Sequence, residues 1–379
     1  MLGTKAYGVA QQRLTAIVAN ETISAAGLVE RFTMLTALPL ALLTDPLAHM
    51  PFRDVLEWCE ARGLAGIEVG VGGYSAAPHL AGRELLASAD ARRALLQSVS
   101  DANLEIVALN ASGNPLHPAP VIAAAHAQAL RDAVRLAGEL GVTRVVAMSG
   151  CPGGPGANGR GGWPVFAGGA WLPDMEGLWA PQFEQSIAPF WREISEWAAQ
   201  TAPDVLICLE LHPGTSIYNA ESFARLREVT GENIAVNLDP SHFWWQGIDP
   251  IATIERLDGA IGFVHGKDTL LHPDRIALHG VLDFRWPSDA ETMPWHFCSV
   301  GAGRPLSEWA ALLRALTDHE YRGAISIEHE DPNLGPEDGI EASIRGLRAA
   351  SEANVAVVDE IDQLATGSPA PFTSQQRSV

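Results

Sequence analysis

Four short segments each close an apolar run with a carboxylate or an imidazole: Leu209-Glu210-Leu211-His212, Leu238-Asp239-Pro240-Ser241-His242, Val264-His265-Gly266-Lys267-Asp268 and Ile327-Glu328-His329-Glu330-Asp331. A Leu- or β-branched run of this length reads as a strand buried on both faces. A charged group at its exit therefore stands where apolar surroundings give way to a cleft. One unpaired charge there would cost several kcal/mol. Three carboxylates and one imidazole become tolerable together around a divalent cation, which neutralises the acids and accepts the imidazole lone pair. Glu210, Asp239, His265 and Glu328 are accordingly read as one metal site. This oxygen-rich set suits Mn²⁺, with Mg²⁺, Co²⁺ and Zn²⁺ as alternatives.

Side chains alternate along a strand, so Glu210 and His212 share one side, as do Glu328 and Glu330. His212 is thereby a candidate catalytic residue beside Glu210 and Glu328. His242 lies three residues past Asp239, and Lys267 and Asp268 follow His265. Each of these has an ordinary alternative in loop hydrogen bonding.

The elements that must position these groups are legible as alternating short apolar runs and amphipathic stretches, the pattern of βα units and a parallel sheet. Eight strands are expected: Leu38–Leu43, Gly66–Gly70, Glu105–Leu109, Arg144–Met148, Val205–Leu211, Ile234–Leu238, Ile261–His265 and Ala324–Glu328. Glycines at 63, 141, 231 and 323 stand just before strands, as turn or helix-capping residues should. The spacing from Glu210 to Asp239 is 29 residues and from Asp239 to His265 is 26, as for consecutive βα units of one barrel. His265 to Glu328 is 63, which leaves a long loop after strand seven, between about Thr269 and Gly303. An open doubly wound sheet would carry a Gly-rich phosphate turn after its first strand, and Thr44-Asp45-Pro46-Leu47 is not one. The fold expected is a closed (β/α)8 barrel over residues 34–358, with an N-terminal extension (1–33) and a flexible C-terminal tail (359–379).

Composition narrows the partners. The chain has 379 residues and a formal charge of −20 without a basic run, which argues against nucleic acid and anionic membranes. Cys59, Cys151, Cys208 and Cys298 have no Cys-x-x-Cys spacing and are read as reduced core thiols of a cytoplasmic enzyme without a secretory leader.

The quoted motifs resemble the sugar phosphate isomerase/epimerase family of xylose isomerase-like TIM barrels, over roughly residues 34–350. The most specific parts are Leu-Glu-Leu-His-Pro-Gly (209–214), Asn-Leu-Asp-Pro-Ser-His (237–242), His-Gly-Lys-Asp (265–268) and Ile-Glu-His-Glu-Asp-Pro (327–332). The resemblance implies that Glu210, Asp239, His265 and Glu328 are metal ligands, that Glu210 and Glu328 shuttle a proton on opposite faces of a keto-sugar, and that His242 binds substrate. Lys267, Asp268, Glu68, Asn110, His117 and Trp245 are further candidates for substrate binding. Leu271 stands where ketose 3-epimerases tend to carry a supporting Arg. The segments around Asn114 to His117 and Ser149 to Gly154 are similar to a subgroup that includes α subunits of C-glycoside deglycosidases. The second could instead cradle a phosphate, but it lacks the Lys of a P-loop.

Proton abstraction next to a sugar carbonyl can end in epimerisation or isomerisation, or in elimination of the aglycone from a 3-oxo-glycoside. Trp163, Trp171, Trp179, Trp244, Trp245, Trp286 and Trp295, with His272, His279 and His296, fall in or near the expected catalytic loops and suggest a roomy pocket for a glycoside. Endonucleases acting on abasic DNA share this barrel, but the acidity of the chain argues against that activity. A homo-oligomer is expected, with a small β subunit as an option.

Overall fold

The computed structural model describes residues 38–153, 162, 179–283 and 292–366, with side chains as far as 353. The N-terminal extension expected over 1–33 lies outside the described residues, as do Trp163, Trp171, Trp286 and the tail beyond 366. Residues Leu38–Ala350 form one compact unit.

Eight parallel strands close into a barrel: β1 (Leu40–Leu43), β2 (Gly66–Gly70), β3 (Glu105–Asn110), β4 (Arg144–Met148), β5 (Leu206–Glu210), β6 (Ile234–Leu238), β7 (Ile261–Gly266) and, after two strands outside the barrel, β10 (Ile325–Ile327). Each strand neighbours the next in sequence, and β1 pairs with both β2 and β10 to complete the cylinder. Helices such as Phe52–Ala61, Pro120–Leu140 and Leu306–Asp318 bury one apolar stripe against its outer wall. The turn from helix 120–140 into β4 is made by Gly141, whose φ of 72° is left-handed backbone that a side chain would strain.

Alternation builds the interior in layers. Ala108, Val146, Cys208, Ala235 and Phe263, from five adjacent strands, fill one apolar layer. Two residues further along, on the same inward side, come Asn110, Met148, Glu210, Asn237 and His265. The barrel thus turns from apolar to polar within one strand repeat. All four cysteines are buried free thiols, and burial in the apolar layer pushes the Cys208 thiol up to about 12.

The segment after β7 differs from the loop expected there. It carries β8 (Asp268–Leu271), a helix (Pro273–His279) and β9 (Trp295–Cys298), with β8 and β9 pairing antiparallel, Asp268 opposite Cys298 and Leu271 opposite Trp295. Two four-residue strands separated by a helix leave no hairpin-turn signature in the sequence. Gly303 lies so close to β8 that a Cβ there would sit 2.3 Å from the Thr269 carbonyl oxygen.

Candidate active site

Glu210 closes β5, Asp239 follows β6, His265 lies on β7 and Glu328 follows β10, so the four expected ligands leave the same end of the barrel. One ligand atom from each lies within 4.8 Å of the others. The Nδ1 of His265 is 3.2 Å from Glu210 Oε2 and 3.1 Å from Glu328 Oε2. Burial opposes charge on both acids. The His242 and His265 rings nevertheless draw the Glu210 pKa well below the carboxylate range, while Lys267 and His265 bring Glu328 to about 2. Reciprocally, His265 is held well above the ordinary imidazole value, because Glu68 and Glu328 outweigh its burial.

Lys267, His242 and His212 join this cluster. The Lys267 ammonium, almost fully buried, lies 3.1 Å from Asp239 Oδ2 and 2.8 Å from both Glu328 Oε2 and Glu330 Oε2. Burial penalises its charge, but Asp239, Glu328 and Glu330 raise its pKa well above that of a free lysine. His242 Nε2 is 3.0 Å from Glu210 Oε1 and 3.3 Å from Asp239 Oδ2. The His212 ring packs 4.2 Å from the His242 ring, and burial together with that neighbour brings its pKa down to about 3. Glu210 is therefore divided, one oxygen toward His265 and the other toward His242.

The donor set fits a divalent cation. Glu68, Glu210, Asp239, Glu328 and Glu330 face one ammonium and two imidazoles, which leaves two negative charges unmatched even with both rings protonated. Asp239 Oδ2, buried, has no hydrogen-bond donor with proper geometry. Ligands from four strands around one point, three of them oxygen donors, match the first-row dications and Mg²⁺.

Other candidates are employed differently. Glu68, fully buried on β2, accepts from Asn110 Nδ2 at 2.7 Å and Ser326 Oγ at 2.7 Å and faces His265 Nε2 at 3.1 Å, so its carboxylate is consumed by the protein and not available to substrate. Asn110 is turned to Glu68 in the same way, its own oxygen capping the Ser112 amide. Asp268 accepts from the Gly301 amide, the Arg304 amide, the Trp309 indole and the Thr269 amide, which fastens the β8 hairpin to the next helix. These neutral donors soften its burial, and its pKa remains raised. His117 Nδ1 accepts the Ala119 amide ahead of helix 120–140. Trp245 is buried and lies flat on Trp295, centroids 4.5 Å apart at 6°, so one of its faces is taken by another indole.

Two groups escaped the sequence reading. Asn237, two residues before Asp239 and so on the same side of β6, donates to Glu210 Oε2 at 3.1 Å and contacts His265 Nδ1 at 3.2 Å. Strand alternation could have found it. Phe297, on β9, meets the His242 ring edge-on at 5.3 Å and lies 4.6 Å beneath the Lys267 ammonium. It was hidden because the hairpin was not legible.

Comparison with known proteins agrees with the barrel. The family model for xylose isomerase-like TIM barrels matches residues 56–350, and the chain belongs to that family. An uncharacterised protein of Bacillus subtilis, YfiH, is 34% identical over 309 residues, covering 82% of this chain and 98% of its own length. Among solved structures, the probable 3-DHS dehydratase AsbF of Bacillus anthracis superposes with a TM-score of 0.58 at 20% identity, covering 82% of this chain and 99% of that one. The IOLI protein crystallised with a zinc atom gives 0.57 at 18% (84% and 99%), and an L-ribulose 3-epimerase 0.53 at 17% (88% and 100%). At these identities the structures speak for the fold. Among the described residues no helix is long and apolar enough to cross a membrane.

Proposed function

We propose that this protein is a divalent-metal-dependent enzyme that removes a proton next to the carbonyl of a keto-sugar and returns it, as an isomerase or epimerase. The observation that carries this reading is the meeting of Glu210 and Glu328, from non-adjacent strands, on one imidazole nitrogen together with Asp239. A cation held by Glu210, Asp239, His265 and Glu328, Mn²⁺ in the first instance, supplies Lewis acidity toward the carbonyl. One of the two carboxylates, ionised, would take the α-proton, while the other, carrying a proton acquired from solvent, would deliver that proton to the opposite face, their acid and base roles reversing for the next turnover. His242 fixes the orientation of Glu210 through its 3.0 Å contact, and Lys267 holds Glu328 in place through its 2.8 Å contact. The zinc-bearing IOLI structure and the L-ribulose 3-epimerase are in keeping with a metal-assisted sugar reaction on this fold.

Elimination is the second reading, favoured by one observation. Leu271 packs into an apolar wall with Trp245, Trp295 and Phe297. Trp245, Trp295 and Phe297 are buried against one another, and Leu271, partly exposed at the edge of that cluster, is the side chain that would meet an apolar substituent, as on a 3-oxo-glycoside, in which loss of the α-proton expels the aglycone. AsbF is named as a dehydratase, so elimination is also compatible with the barrel.

The test is incubation of the Mn²⁺-loaded protein in D₂O with free ketoses and with aryl 3-oxo-glycosides, read by NMR. Deuterium entering the α-position with a new diastereomer supports the epimerase, and aglycone release supports the lyase. Absence of exchange from every substrate in both classes would overturn the proton-abstraction reading.

A further inference from the structure

Glu68 was expected at the substrate, yet its surroundings give it a different task. It is fully buried inside the barrel on β2, with Asn110 of β3 and Ser326 of β10 each donating at 2.7 Å. The remaining direction of the carboxylate faces His265 Nε2, 3.1 Å from Oε2 and 3.4 Å from Oε1. On the other side of the same ring, Nδ1 faces Glu210 and Glu328, and the Asn237 amide nitrogen lies 3.2 Å from it. Ser326 and His265 are direct register partners across β10 and β7, so the anchor is built into the strand pairing.

From this geometry we infer that Glu68 is a positioning residue for metal binding: it takes the Nε2 proton of His265 in a hydrogen bond and so leaves the Nδ1 lone pair pointing at the point shared by Glu210, Asp239 and Glu328. The inference rests on the reading of that cluster as a metal centre. A carboxylate behind an imidazole fixes its tautomer and ring orientation and raises its basicity as a ligand. Asn110 and Ser326 hold Glu68 itself, so neither oxygen is left to swing. The chain from Ser326 and Asn110 through Glu68 to His265 links three strands that supply no ligand, or none at that level, to one that does.

The experiment is equilibrium titration of the metal-free full-length protein with Mn²⁺, free ion read by electron paramagnetic resonance, for wild type, Glu68→Gln and Ser326→Ala. Thermal melting of the metal-free forms is followed in parallel. The expected result is an Mn²⁺ dissociation constant weakened about 10–100-fold in Glu68→Gln, the range seen when such supporting partners are removed. Ser326→Ala should weaken binding in the same direction by a smaller factor, and it reads the same relay if Glu68→Gln fails to fold. In ¹⁵N-histidine spectra of the metal-free protein, Glu68→Gln should shift the His265 ring nitrogens. Wild-type affinity in folded Glu68→Gln, or in Ser326→Ala if only that variant folds, would overturn the inference. So would a lowered melting temperature with unchanged affinity, which marks a structural role alone. Failure of the wild type to bind Mn²⁺, or any of Mg²⁺, Co²⁺ and Zn²⁺, would instead overturn the metal-centre reading on which both proposals stand.

Discussion

Glu328 and Asp268 are both carboxylates beside the barrel mouth, and their neighbours have made them opposites. Asp268 is surrounded by three backbone amides and the Trp309 indole, all neutral donors, and its pKa stays raised by burial. Glu328 faces Lys267 and His265, cationic groups, and lies at about 2. Neutral donors satisfy a carboxylate in place and make it a fastener. Cationic neighbours keep it ionised and leave its oxygens exchangeable, which is what a ligand or a base requires. The hairpin and the strand-end cluster divide along this line.

Substitution sharpens the contrast most strongly at the cluster. Glu328→Gln and Glu210→Gln are each expected to lower kcat about 10²- to 10⁴-fold on the responsive substrate, the usual contribution of an acid–base group. Steady-state kinetics with a melting curve on each variant checks this, and activity near wild type would place the chemistry elsewhere. Asp268→Asn should do the reverse, lowering stability by about 1–3 kcal/mol because the new NH2 group meets buried N–H donors where a carboxylate oxygen had accepted, with kcat little changed; denaturant unfolding beside kinetics reads both.

Metal loading is expected to raise stability by RT ln(1 + [L]/Kd), about 2.7 kcal/mol at a free ion concentration one hundred times Kd. Calorimetry with and without chelator measures it, and equal melting temperatures would break the comparison.

The metal-free protein should also depend on pH at both ends. His265 has a raised pKa, so its contribution is fully present below the ordinary value of 6.5 and lost as pH rises through the raised folded value. Glu328 has a depressed pKa, so its contribution is present above the ordinary 4.5 and fades as pH falls toward about 2. Melting temperature across pH, chelated, should therefore decline on both flanks. Metal affinity should rise with pH as the His265 proton ceases to compete.

The barrel was legible because eight apolar runs needed to be buried on both faces, and their exits identified Glu210, Asp239, His265 and Glu328 at once. What sequence could not supply was which neighbour each polar group had already taken. Glu68, Asn110 and Asp268 have the composition of site residues, but their hydrogen-bond partners come from β10, from β2 and from the segment around Gly301 to Trp309, joined only by folding. One face of Trp245 had likewise found its neighbour, since Trp295 arrives on β9 from 50 residues further along the chain.

The four converging side chains span 118 positions, from Glu210 to Glu328, and each comes from a different strand. Contacts that distant form late, after the loop-closure cost has been met. An ion held there cannot seed folding of a nascent fragment. It can only lock a cylinder already shut, slowing its reopening, so loading should show itself chiefly in the unfolding limb of a chevron and hardly in the refolding one.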